Sequence, residues 1–168
     1  MKYTLSVLPD LTVTLEPVVA ADAAPPTSTL LRHRGANLCG GGTAWSDWNS
    51  TSGPVEGTHY KFMSFAEVDA LIAAGMNTFR LLFTWEAVQP IPLGNVGVTG
   101  GYYAIYWSRL IGLVNHITGL GAGVVLDIHG DIDAGFAAYR SVRVGGSYAG
   151  YPVSYMLADL WAKMASFF

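Results

Sequence analysis

Gly75-Met76-Asn77-Thr78-Phe79-Arg80-Leu81-Leu82-Phe83-Thr84-Trp85-Glu86 is the stretch on which the fold turns. Its opening glycine can end a helix. Residues 77–83 are rich in β-branched and aromatic side chains and read as a strand. Upstream, Ser64-Phe65-Ala66-Glu67 has the spacing of a capping box, so a helix starts there. Its apolar stripe is Phe65, Val68, Leu71 and Ile72, and Gly75 stops it. Downstream, residues 103–118 predict a second helix with Trp107, Leu110, Ile111, Val114 and Ile117 on one face. Residues 122–129 follow as a third strand, whose near-continuous apolar run suits a buried parallel sheet.

Outward again, residues 30–38 predict a strand closed by Gly40-Gly41-Gly42. A last helix from about Ser154 carries the stripe Leu157, Leu160, Trp161, Met164 and Phe168. Trp107 and Trp161 therefore read as core. Residues 3–16 alternate, with Leu11, Val13 and Leu15 opposite Thr12 and Thr14, which predicts strand structure and a hairpin around Pro9-Asp10. Residues 20–29 read as a linker. The expected organisation is thus an N-terminal β segment and linker over 1–29 and an α/β unit over 30–168.

Strand–helix order repeated three times predicts parallel pairing with right-handed crossovers. Each helix-to-strand loop is short, and each strand-to-helix loop is long, at roughly 39–63, 84–102 and 130–153. Long loops at the C-terminal ends of parallel strands are where barrel enzymes and open α/β sheets alike place their sites. A closed (β/α)8 barrel needs about 250 residues, and this chain has 168. With its apolar ending Phe167-Phe168, that length points to an incomplete barrel of about three βα units.

Hydrophobic residues make up 51% of the chain and charged residues 12%, against about 25% charged in an average domain. A large core, or a surface meant to be covered, would account for this. The net charge of −3 argues against a nucleic-acid partner. No apolar run is long enough to span a membrane. Pro9, Asp10 and Glu16 interrupt the apolar stretch that a signal peptide would need. The lone Cys39 forms no intrachain disulfide and reads as a small packed residue. Asn49-Ser50-Thr51 fits a glycosylation sequon, a triplet frequent by chance.

Four strings resemble glycoside hydrolase family 5, the large cellulase and mannanase family, in unbroken order over residues 32–168. They are Arg34-Gly35-Ala36-Asn37-Leu38, Gly75 to Arg80 followed by Phe83-Thr84-Trp85-Glu86 and Gln89-Pro90, Val124-Val125-Leu126-Asp127-Ile128-His129-Gly130, and Ala158-Asp159-Leu160-Trp161. The resemblance implies the N-terminal portion of a (β/α)8 barrel that hydrolyses β-1,4-glycosidic bonds in cellulose-like glucans with retention. It implies a β-glucan partner, no metal or other cofactor, and secretion.

Retention needs two carboxyls about 5–5.5 Å apart, one as nucleophile and one as acid/base. In the family the acid/base glutamate follows an asparagine. The glutamates here are Glu16, Glu56, Glu67 and Glu86, and none follows an asparagine. Both family glutamates are therefore absent, and the chain alone is expected to be inactive. Arg80 matches a family arginine that supports the nucleophile, and His129 matches a histidine lining a sugar subsite. From the residues alone, Arg80 needs an anionic partner, and a structural salt bridge to Asp127 is the plain alternative. Trp45, Trp48, Tyr60 and Trp85 lie in or beside the long loops, where rings could stack on sugars or simply pack. His129, Asp131 and Asp133 form His-x-Asp-x-Asp, a weak metal pattern without further ligands.

Two other readings stay open. The chain could self-associate to cover open barrel edges and take its carboxylates from Glu86, Asp127, Asp131 or Asp133. It could also be a non-catalytic carbohydrate-binding module.

Overall fold

A computed structural model of the chain describes residues 2–7, 13–18, 32–42, 53–97, 101–129, 138–139 and 142–168. The chain divides into two compact units, Met1–Arg32 and His33–Phe168.

In the first unit, β1 (Lys2–Val7) and β2 (Val13–Val18) pair antiparallel, in register from Lys2 opposite Val18 to Val7 opposite Val13. The expected hairpin forms. Its turn at Pro9-Asp10 and the linker over 20–29 lie outside the described residues.

The second unit is α/β. Strands β3 (Gly35–Leu38), β4 (Thr78–Phe83) and β5 (Gly123–Ile128) form a parallel sheet in that order. The register sets Asn37 beside Arg80 and Arg80 beside Val125. Of the strand expected over 30–38, residues 32–34 lie outside β3, where the Arg34 carbonyl accepts the N–H groups of Asn77 and Thr78 at 2.7 and 3.2 Å, and residues 30 and 31 lie outside the described residues.

Helix α1 (Phe65–Ala73) begins in the expected capping box. Ser64 Oγ accepts from the Glu67 N–H, and Glu67 Oε2 accepts from the Ser64 N–H at 2.8 Å. The helix ends in a Schellman turn. The Gly75 N–H reaches the Ile72 carbonyl and the Met76 N–H the Leu71 carbonyl, with Gly75 at φ 92°. That left-handed φ is the reason a glycine stands there. Helix α3 (Gly101–Gly119) closes the same way, with Gly121 bonded to Thr118 and Ala122 to Ile117. Two equivalent turns thus aim each helix directly into the next parallel strand.

Two elements were not foreseen in the first two strand-to-helix loops. A 3-10 turn, Cys39–Gly41, follows β3, and a single helical turn, α2 (Trp85–Val88), follows β4. The third loop holds two small antiparallel pairs. They are β6 (Ala138–Tyr139) with β7 (Val142–Arg143), and β8 (Ser147–Tyr148) with β9 (Tyr151–Pro152). Helix α4 (Val153–Met164) follows immediately.

Side chains alternate across a strand: on one face of the sheet Arg80 and Val125 stand exposed beside a buried Leu82, and the other face is covered by helices. Phe79, Leu81 and Phe83 are fully buried on that face. They share one core with Tyr106, Trp107, Leu110, Leu113, Val114 and Ile117 of α3 and with Val153, Met156, Leu160 and Met164 of α4. Three sequence expectations change. Val125 is 52% exposed, so β5 is not buried on both faces. Phe65 leaves the core to stack on the His116 ring at 4.2 Å. In α4 the buried stripe starts at Val153, which turns Trp161 and Phe168 outward, and Trp161 makes an edge contact with Phe83 at 6.0 Å.

Candidate functional site

On the face opposite the helices the sheet gathers three side chains that chemistry can use. Arg80 points away from the core because its neighbours Phe79 and Leu81 point into it. Asp127 and His129 lie two residues apart and so share that face. One carboxylate oxygen, Asp127 Oδ2, accepts from Arg80 Nη2 at 3.0 Å and lies 3.2 Å from His129 Nδ1. The expected anionic partner of Arg80 is therefore Asp127. The pair is not deeply buried, however, since 43% of the Arg80 side chain and 25% of that of Asp127 are exposed. An ion pair this open contributes about 0–1 kcal/mol. Its value lies in orientation rather than in stability.

The glycine run after β3 shapes the edge of this cluster. A Cβ on Gly42 would lie 2.5 Å from Leu82 Cβ and 2.9 Å from His129 Cβ. Only a glycine lets the loop fold down so closely over the end of β4. Tyr106 pins that loop from beneath. Its buried hydroxyl accepts from the Thr84 N–H at 3.0 Å and donates to the Gly41 carbonyl.

The aromatic candidates separate by environment. Tyr60 and Trp85 are 3% and 1% exposed, so neither offers a face to a sugar, and both belong to the core. Tyr60 packs edge-on against Tyr106 at 4.7 Å. Trp85 donates its indole N–H to Gln89 Oε1 at 3.0 Å, and Gln89 is itself fully buried. Trp45, Trp48, Asp131 and Asp133 lie outside the described residues.

Two of the described glutamates are committed elsewhere. Glu67 closes the capping box, and Glu56 accepts from Arg109 Nε and Nη2 at 2.7–3.0 Å. Glu86 occupies the first turn of α2. The side chain of Glu16, in β2, is not among those described. Among the described residues no group of three His, Cys, Asp or Glu could hold a metal, and no helix is long and apolar enough to cross a membrane. A groove of about 570 Å³ between the loop after α2 and the end of α4 is lined by none of the candidate residues. Lys163, in that groove, donates to the Leu93 and Gly94 carbonyls and to Asp159.

Burial, with Glu56 second, pushes the Tyr60 phenol up from 10.0 to about 12. Burial also raises Tyr106. The folded chain holds these protons where the unfolded chain gives them up. The resulting stability is complete below pH 10 and is lost as the pH rises toward 12. Alkaline titration followed by tyrosinate absorbance should show these two of the nine tyrosines ionising late. Loss of near-ultraviolet circular dichroism should accompany them.

No family model matches the chain. It is 32% identical over 115 residues to endo-β-1,4-glucanase B of Emericella nidulans, covering 68% of this chain and 33% of that protein. It is 36% identical over 75 residues to a probable endo-β-1,4-glucanase B of Aspergillus oryzae, covering 45% and 21%. Among solved structures, an endo-β-1,4-glucanase of Xanthomonas axonopodis pv. citri superposes with TM-score 0.65 at 25% identity, over 82% of this chain and 38% of that one. XacCel5A in complex with cellopentaose superposes with TM-score 0.59 at 26% identity, over 80% and 37%. The chain is thus a relative of the cellulases of glycoside hydrolase family 5 over a partial region. It spans a third or less of the length of these curated relatives.

Proposed function

We propose that residues 33–168 are a segment of a (β/α)8 barrel of the family 5 type. In this reading they contribute one flank of a β-1,4-glucan site without the carboxylate pair that cleaves the bond. The observation that carries it is the sheet face presenting Arg80, Asp127 and His129 together, in a chain similar to XacCel5A, whose structure holds cellopentaose. A closed barrel would turn this face inward. Arg80 and His129 then serve the reaction by position: the guanidinium lies beside the nucleophilic carboxylate, and the imidazole meets a sugar hydroxyl. Cleavage with retention requires two further carboxyls about 5–5.5 Å apart; Glu67 is held in its helix cap and Glu56 in its pair with Arg109.

The test is titration of the isotope-labelled 168-residue chain with cellopentaose, followed by amide chemical shifts. Saturable shifts at Arg80, Val125, Asp127 and His129 are expected. Shifts confined to other regions, or none at millimolar ligand, would refute the reading.

Self-association has one specific observation behind it. Strands β3 and β5 each pair on one side only among the described residues, and Val125 stands half-exposed between them and solvent. Unpaired edges and an exposed apolar side chain favour a second copy. Sedimentation equilibrium should show a dimer or larger species, and a clean monomer would count against it.

A further inference from the structure

We propose that Asp127 is a positioning residue that fixes the tautomer of His129, with the proton on Nδ1 and Nε2 left as a bare acceptor. A carboxylate paired with a guanidinium accepts hydrogen bonds and donates none. Asp127 Oδ2 already accepts from Arg80 Nη2 at 3.0 Å. His129 Nδ1, at 3.2 Å from the same oxygen, must then face it as N–H, because a lone pair there would be repelled. In a neutral imidazole one nitrogen donates and the other accepts, so Nε2 carries the lone pair. The imidazole is 37% exposed, which leaves part of the ring open to an incoming group.

One oxygen thereby orients two side chains on neighbouring strands. Arg80 keeps further N–H donors on a side chain that is 43% exposed, and His129 adds an acceptor nearby. A hydroxyl both donates and accepts, so adjacent hydroxyls of a polyol match this donor–acceptor couple. The ligand assignment rests on the glucan reading above; the tautomer does not.

The test is a long-range proton–nitrogen correlation spectrum of the histidine-labelled 168-residue chain, at a pH where His129 is neutral. Wild type should show a pyrrole-type Nδ1 and a pyridine-type Nε2 for His129. Asp127→Ala removes the oxygen that Arg80 and His129 share. That substitution should abolish the preference for a proton on Nδ1 and weaken cellopentaose binding about tenfold. A proton on Nε2 in wild type, or an unchanged tautomer in Asp127→Ala, would overturn the inference. The wild-type spectrum alone decides the first point even if the variant folds poorly. The expected tautomers in a chain that binds no cellopentaose would uphold the role of Asp127 and sink the glucan reading instead.

Discussion

Tyr106→Ala is expected to lower the unfolding free energy by about 5 kcal/mol, enough to unfold much of the population of a marginally stable domain. The ring is 1% exposed at the centre of the core, against Tyr60 and Phe62. Its removal leaves a cavity that several elements would have to collapse together to fill. The hydroxyl adds a second loss, since it satisfies the Thr84 N–H and the Gly41 carbonyl at once. Tyr106→Phe isolates that part, and about 1–3 kcal/mol is expected for a Thr84 N–H left short of a partner and a Gly41 carbonyl left with the long contact from Thr84 Oγ1 at 3.5 Å. Urea unfolding of the three proteins measures both. Equal midpoints for Tyr106→Phe and wild type would show that the hydroxyl does not hold the glycine loop.

Trp85→Ala should cost about 4 kcal/mol by the same cavity argument. The outcome also decides which role the ring has. A tryptophan that stacks on sugar is largely exposed in the free protein, and its loss would weaken cellopentaose binding while leaving stability intact. Trp85 is buried, and its indole N–H goes to Gln89. Gln89 in turn donates to the Gly94 carbonyl and to Asp159, each at 2.8 Å. The ring therefore anchors a network that ties the loop after α2 to α4. Trp85→Phe, which keeps most of the volume and loses the donor, should cost about 1–2 kcal/mol. Thermal denaturation of both variants beside a cellopentaose titration separates the two roles.

Much of the fold was legible because local chemistry and tertiary need coincided. Ser64 and Glu67 announce a helix start, and Gly75 and Gly121 mark chain reversals that only a left-handed residue makes easily. The strands between them follow from composition. What stayed illegible depends on neighbours far along the chain. The apolar pattern of α4 offers two overlapping stripes, and only packing chooses Val153, Met156, Leu160 and Met164 over one that includes Trp161. Tyr60 and Trp85 sit in loops where rings could equally stack on sugars, yet the loops fold inward and bury them. At the site, Arg80 demanded an anion and Asp127 was the natural candidate. That the same oxygen also faces His129 required the strand register, although Asp127 and His129 at i and i+2 already had to share a face.

The most direct test of the central claim, a glucan site flank without its cleaving carboxylates, is reducing-sugar release from soluble cellulose by the purified 168-residue chain, with Glu86→Gln in parallel. The account predicts no release above background from either protein. Release by the wild-type chain would contradict it, and its loss in Glu86→Gln would place a working carboxylate on α2.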